Sequence, residues 1–100
     1  MILELTPTQR RFLRAQAHHL NPVVIIGEAG LTENVMLEID RSLIAHELIK
    51  VRVFGDDRIY RQELLGTICD TLQATAVQQI GKILILYRAA EKPTIILPKE

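Results

Sequence analysis

The 100-residue sequence predicts an α/β fold with the element order α-β-α-β-α-β-β and a four-stranded mixed sheet. Three observations predict it: helix-start signals precede apolar residues with helical spacing, short β-branched runs separate these segments, and a two-residue turn joins the last two strands. Crossovers through helices favour parallel neighbours and the hairpin adds an antiparallel pair, so we expect a two-layer α+β arrangement. The length suits one domain over residues 1–100, with a core of about residues 6–90 and a tail over 91–100.

The first helix has a capping signal and an apolar stripe. The cap, the first helical position and the capping-box partner are Thr6, Pro7 and Gln9. The stripe expected to face the core is Leu13, Ala17 and Leu20. The helix should end at Asn21, because a residue that precedes proline avoids the α region.

A second helix is flanked by two strands. Residues 23–26 form a short β-branched run, which predicts a buried strand. Thr32 is predicted to cap the second helix, and its core-facing side continues through Val35, Ile39 and Leu43. His46 falls on that side, so we interpret it as a structural histidine with one satisfied hydrogen bond. Residues 48–53 alternate in polarity, which predicts a strand with Lys50 and Arg52 on one side.

The last third of the chain predicts a helix and a hairpin. Asp56 and Asp57 end the second strand and can cap the third helix. The apolar face of that helix is expected to comprise Tyr60, Leu64, Ile68 and Leu72. Residues 75–80 and 83–88 predict two strands with a turn at Gly81-Lys82. The pattern leaves open where the apolar residues 95–97 lie.

A Gly-x-x-Gly loop connects the first strand to the second helix, and its residues are Gly27, Glu28, Ala29 and Gly30. Such a loop has no bulky Cβ at either end and exposes backbone N–H groups near the positive end of a helix dipole, where a phosphate can approach. A simple tight turn is an equally good interpretation of the loop taken alone. A P-loop and a dinucleotide-binding fingerprint are excluded, because Leu31 and Ile25 stand where those motifs require lysine and glycine.

Basic side chains accompany this loop. Arg10, Arg14 and His18 fall on one stripe of the first helix with Arg11 beside it, and no acidic residue occurs between positions 7 and 19. The further candidates are Lys50 and Arg52 on one strand face, Lys82 in the hairpin turn and Arg88 at the end of the last strand. Each of them taken singly is typical exposed charge, and chain order does not show whether they converge.

Composition narrows the function classes. The 12 basic and 12 acidic residues give a formal net charge of zero, so anion binding has to come from local clustering. Cys69 is the only cysteine, which excludes an internal disulfide and indicates a reducing compartment. The N-terminus lacks the apolar core of a signal peptide, and no apolar run approaches the ~18 residues of a membrane span. We therefore expect a cytoplasmic protein with no membrane contact.

Catalytic and metal sites are not indicated. Ser42, the only serine, has no nucleophile-elbow context, and Cys69 is predicted to be a small buried side chain. His18 and His19 point about 100° apart on a helix, which disfavours a shared metal ion. The aromatic residues are too few for a stacking platform, and Phe12 and Tyr60 are expected to pack. We predict that the chain is not an enzyme and has no metal and no cofactor.

Four ordered segments together resemble the chloroplast RNA splicing and ribosome maturation (CRM) domain, above all its stand-alone bacterial members. They are residues 17–22, 24–32, 46–51 and 80–88, and the resemblance covers nearly the whole chain. It implies a fold similar to the C-terminal domain of translation initiation factor 3. It also implies binding to ribosomal RNA in precursors of the large ribosomal subunit, the pre-50S particles.

The resemblance further implies which residues contact RNA. The family's glycine loop corresponds to residues 27–30, and its basic positions correspond to Arg10, Arg14, Lys50, Arg52 and Lys82. Glu28 departs from the many family loops that carry a lysine between the glycines, and its charge opposes a phosphate. The leading hypothesis is a monomeric, non-catalytic factor in ribosome biogenesis that contacts the RNA backbone and does not bind DNA. The alternative is a protein-docking module for ribosomal or assembly proteins, in which the loop is only a turn.

Overall fold

The elements follow one another in the predicted order in a computed structural model that describes residues 3–100. They are α1 (Pro7–Ala17), β1 (Pro22–Ile26), α2 (Glu33–His46), β2 (Leu48–Val53), α3 (Arg58–Leu72), β3 (Thr75–Ile80) and β4 (Ile83–Tyr87). The sheet has the order β1-β2-β4-β3. β1 and β2 are parallel, and β4 is antiparallel to both of its neighbours. The prediction of an α/β fold with a four-stranded mixed sheet is confirmed.

Each helix begins at its predicted cap. The Thr6 hydroxyl accepts from the Gln9 amide at 3.1 Å while Gln9 Oε1 accepts from the Thr6 amide at 3.0 Å, which completes the capping box. Thr32 and Asp57 cap α2 and α3 in the same way, by accepting from the third residue beyond. These bonds satisfy N–H groups that the first helical turn leaves without partners, so three short polar side chains determine where the helices start.

The sheet separates two apolar cores. The larger core lies between the sheet and the helices α2 and α3, around residues such as Ile39, Leu43 and Ile68. The smaller core lies on the opposite face, where α1 covers Leu48 and Ile85. The sheet with α2 and α3 forms the two layers that were expected. α1 forms a third layer on the other face of the sheet.

The C-terminal tail is held against the α1 face by Glu47. Ile95 and Leu97 pack on the smaller core, which settles their position. Glu47 is only 2% exposed, and its carboxylate accepts from the backbone N–H groups of Ala90, Thr94 and Ile95 at 2.9–3.0 Å and from the Thr94 hydroxyl. Burial alone would raise the pKa of this carboxyl, but these hydrogen bonds outweigh it and lower the pKa to about 2.

Three expectations about packing are wrong. α1 ends at Ala17 because its last turn tightens into bonds between residues three apart, and Leu20 is left 37% exposed outside the core. β1 is a half-buried edge strand, since Val23 and Ile25 are exposed while Val24 and Ile26 are buried. His46 is exposed at the end of α2 and is not a buried structural histidine.

Candidate functional site

Three connections meet at one end of the sheet. β1 and β2 are parallel, so the chain leaves both strands at this end, and β4 begins there because it is antiparallel to β2. The Phe54 amide donates to the Ile26 carbonyl at 2.8 Å, and the Val53 amide donates to the Lys82 carbonyl at 2.8 Å. The Gly-x-x-Gly loop therefore lies beside the start of the β2–α3 connection, and the β3–β4 turn lies at the same end of the sheet on the other side of β2.

The Gly-x-x-Gly loop is an exposed four-residue turn. The Gly30 amide donates to the Gly27 carbonyl at 3.0 Å, and Gly27, Glu28 and Ala29 are exposed. The amides of Glu28 and Ala29 have no protein acceptor within residues 3–100. Thr32 caps α2 as predicted, so two residues separate the turn from the first helical residue. The two free loop amides, rather than the helix terminus, are what this turn offers to an anion.

The fold explains one glycine of the loop and not the other. Gly30 has a φ of +75°, and a Cβ at this position would lie 3.0 Å from Tyr60 Oη, so the fold itself explains this glycine. Gly27 does not have a positive φ, and a Cβ added there would meet no atom within 4 Å. Neither backbone strain nor packing within the described chain explains Gly27, which suits a position that a ligand approaches closely.

Four of the predicted basic residues converge on the α1 side of the sheet. They surround a shallow cavity of about 340 Å³, and we call them the α1-face patch: Arg11, Arg14, His18 and Lys50. Arg52 is exposed two residues beyond Lys50 on β2, and it pairs with Ile25 one residue before the end of β1. Side chains two apart on a strand share a face, so Arg52 connects the patch to the loop end of the sheet.

Two predicted arginines lie elsewhere. Arg88 Nη1 donates to Asp40 Oδ1 at 2.8 Å and to the Leu72 carbonyl at 2.9 Å, so it joins α2 to the end of α3. We therefore correct its assignment from a ligand contact to an internal ion pair. Arg10 Nη1 donates to the Ala76 and Val77 carbonyls at 2.8 and 2.7 Å, where the β3 register shifts. Its guanidinium anchors α1 to β3 and is not part of the α1-face patch.

Lys82 remains at the loop end but is already paired. Its Nζ lies 3.0 Å from Asp56 Oδ1, and the Lys82 side chain is 45% exposed. The hydrogen bond and the charge of Lys82 together hold the pKa of the Asp56 carboxyl below its ordinary value. Both side chains are solvated, so an anion can compete with Asp56 for this lysine.

Sequence reasoning missed several exposed or basic residues at this end. Phe54 is 51% exposed directly after β2, and Tyr60, which was expected to pack, is 38% exposed above Gly30. Arg58 and Arg61 begin α3 and border a separate cavity of about 420 Å³. Their spacing of three residues directly after the Asp57 cap was a signal that could have identified them.

The described residues include no reactive thiol, no cluster of metal ligands and no membrane-spanning helix. Cys69 is 7% exposed, as predicted for a small buried side chain, and burial with the nearby Asp70 charge raises its thiol pKa to about 11. Within residues 3–100 no group of three or more His, Cys, Asp and Glu residues is arranged to hold a metal ion. The same residues contain no helix whose length and apolar character would let it cross a bilayer.

Comparisons with known proteins agree on one family. A family model described as the CRS1 / YhbY (CRM) domain matches residues 5–88. An RNA-binding protein of Haemophilus influenzae is 49% identical over 96 residues, which cover 96% of this chain and 97% of that protein. YqeI of Bacillus subtilis, named a probable RNA-binding protein, is 36% identical over 95 residues, covering 94% and 99% of the two chains. The solution structure of the hypothetical protein SAV1595 from Staphylococcus aureus has a TM-score of 0.82 and 38% identity, and the match covers 95% of this chain and 100% of that one.

Proposed function

This chain belongs to the CRS1 / YhbY (CRM) domain family, and we propose from this membership that it is a non-catalytic RNA-binding protein. We further propose that its ligand is ribosomal RNA in precursors of the large ribosomal subunit and that it acts as a monomer in the cytoplasm. The observation that supports RNA binding best is the convergence of Arg11, Arg14, His18 and Lys50 on one face of a chain with no net charge.

Recognition in this proposal uses the RNA backbone. The α1-face patch and Arg52 neutralise phosphates, while the free amides of Glu28 and Ala29 donate to phosphate oxygens at the loop. Gly27 lets the ribose-phosphate chain lie directly on the main chain. The exposed Phe54 beside the loop offers one face on which an unpaired base can stack.

Glu28 weakens but does not prevent this arrangement. It is exposed in the turn, so its side chain can extend into solvent while the loop amides remain accessible. Four cationic side chains, three in the patch and Arg52 beyond them, lie on the sheet face that leads to the loop. The loop contact therefore depends on its amides and on these side chains rather than on a cation inside the turn.

Salt dependence tests the proposal. Binding of a fluorescein-labelled fragment of large-subunit ribosomal RNA is measured by anisotropy at about 50 and 200 mM salt. Neutralising four phosphates predicts roughly a 50- to 150-fold loss of affinity between these concentrations, at a slope of about 0.7 to 0.9 per phosphate. Undetectable or salt-independent binding contradicts RNA binding. Co-sedimentation with pre-50S particles on a density gradient tests the ribosomal assignment separately.

A protein-docking module is the second candidate. The observation that favours it is the edge strand β1, where Val23 and Ile25 are 48% and 65% exposed. The double variant Arg14→Ala/Lys50→Ala should lose RNA affinity. If it still co-sediments with pre-50S particles, docking to ribosomal or assembly proteins is favoured.

A further inference from the structure

The second cavity is built around a buried cation. It lies between the start of α3 and the β3–β4 hairpin, and we call it the α3–hairpin pocket. Its lining residues are Arg58, Arg61, Gln78, Gln79, Ile80 and Gly81. Arg61 is only 7% exposed although it carries a full positive charge. Arginine is rarely buried to this degree without a partner of opposite charge, so the hydrogen-bond partners of Arg61 are informative.

The protein leaves the Arg61 guanidinium incompletely satisfied. Nη1 donates to the Gly55 carbonyl at 3.2 Å, and Nε is buried without a hydrogen-bond partner. No carboxylate within residues 3–100 forms an ion pair with it. Asp56 feels its charge, but Asp56 is 94% exposed and its hydrogen bond goes to Lys82. A buried cation without a counter-ion is unfavourable, and an anion in the pocket would relieve it.

The pocket adjoins the proposed RNA path. Gln78 and Ile80 border both the cavity of the α1-face patch and the α3–hairpin pocket, so only the edge strand β3 separates them. Arg58, exposed at the first position of α3, adds a second cation where the helix dipole is positive. An RNA chain that leaves the patch across β3 would reach this pocket next.

We propose that the α3–hairpin pocket binds a backbone phosphodiester of the same RNA chain that contacts the α1-face patch, with Arg58 and Arg61 as its cationic ligands. This inference rests on the proposed function and extends it to the opposite side of β3. The guanidinium of Arg61 is planar and has several donors, which suits a phosphate better than the compact charge of a lysine does.

The test uses the full chain and two independent readouts. Anisotropy with labelled oligouridylate of about twelve nucleotides compares the wild type with Arg58→Ala and Arg61→Lys, and the ribosomal RNA fragment is run in parallel. The matched control is Arg41→Ala, which removes an exposed arginine from α2. The second readout is the Arg61 Nε–H resonance of the wild type, which needs no substitution. It is followed during titration with oligouridylate, inorganic phosphate or uridine monophosphate, while thermal unfolding reports whether each variant is folded.

The proposal expects Arg58→Ala to weaken oligouridylate binding about three- to tenfold and to lower the salt slope by about 0.7, with Arg41→Ala within twofold of wild type. It also expects oligouridylate to shift the Arg61 Nε–H resonance. RNA binding that is unaffected by Arg58→Ala, with no shift, overturns the pocket and leaves the proposed function standing. A shift with phosphate or the mononucleotide but none with RNA overturns it in favour of a free-phosphate site. If the wild-type protein binds neither oligouridylate nor the ribosomal RNA fragment, the proposed function and this inference are both overturned.

Discussion

The Glu47 carboxylate accepts a hydrogen bond from the Thr94 amide at 2.9 Å, which links the end of α2 to a tail residue 47 positions later. Neighbouring amides of the tail donate to the same carboxylate. Glu47→Gln replaces an ionised acceptor by an amide that also presents two donors. We expect a loss of about 2 kcal/mol in the free energy of unfolding, measured by urea denaturation at pH 7. Unchanged stability would contradict the role of the carboxylate in holding the tail.

The pH dependence of stability follows from the same carboxylate. Its pKa is about 2 in the folded protein and 4.5 as an ordinary glutamate, so the unfolded chain binds its proton first. The stabilisation by Glu47 is therefore complete above about pH 4.5 and is lost as the pH falls towards 2. Urea denaturation between these values should show a steeper decline for wild type than for Glu47→Gln. Parallel curves for the two proteins would contradict the lowered pKa.

The two glycines of the loop should separate binding from stability. Gly27→Val places a side chain where the protein leaves open space, so we expect about tenfold weaker RNA binding and an unchanged unfolding midpoint. Gly30→Ala imposes a positive φ on a residue with a Cβ and crowds Tyr60, so it should lose about 1 kcal/mol of stability or more. Anisotropy and thermal unfolding of both variants check this. Wild-type affinity in Gly27→Val would mean that the loop is only a turn.

The α1-face patch should contribute to the salt dependence of RNA binding. Arg14→Ala and Lys50→Ala each remove one cation, so each should lower the salt slope by about 0.7 to 0.9 and weaken binding for all sequences alike. Anisotropy over a series of salt concentrations measures the slope. A sequence-dependent loss would instead indicate contacts with base edges.

Arg88 should behave in the opposite way. Arg88→Ala leaves the Asp40 carboxylate and the Leu72 carbonyl without their partner, so we expect a loss of about 2 kcal/mol in the free energy of unfolding. Its RNA salt slope should equal that of wild type at temperatures where both are folded. A reduced slope would return Arg88 to the set of RNA contacts.

Glu28→Lys should strengthen RNA binding. The change replaces a negative by a positive charge within the exposed turn, and we expect about a fivefold gain in affinity at low salt that shrinks as salt rises. Glu38→Lys makes the same change in net charge at an exposed position of α2 and serves as the matched control. Equal gains in both variants would show that only the net charge matters.

Local signals in the sequence were sufficient to predict the helices and strands. The caps Thr6, Thr32 and Asp57 bond to amides three residues away, so a short stretch of chain contains both donor and acceptor. The turn at Gly81 and the alternation of β2 are equally local, and both were predicted correctly. The mixed sheet followed from the order of these elements.

Side-chain partners across the fold were beyond the same reasoning. Arg10 reaches carbonyls 66 and 67 positions away, and Arg88 reaches an aspartate 48 positions away, so helical or strand periodicity could not show that either is occupied. Glu47 adopts a φ of 66° and is buried among tail amides, although nothing in its neighbours distinguishes it from an exposed glutamate. By contrast, Arg11, Arg14 and His18 repeat every three to four residues, and the structure brings them together with Lys50.

The unequal filling of the two sides of the sheet has a dynamic consequence. Among the described residues, the core beneath α1 contains six buried side chains, whereas the core beneath α2 and α3 contains fourteen. Opening of α1 together with the tail exposes far less apolar surface than global unfolding does. The amide protons of α1 should therefore exchange with deuterium through this local opening rather than through global unfolding. Arg11 and Arg14 move with α1. The time-averaged shape of the basic face therefore depends on the few hydrogen bonds by which Glu47 holds the C-terminal tail against α1.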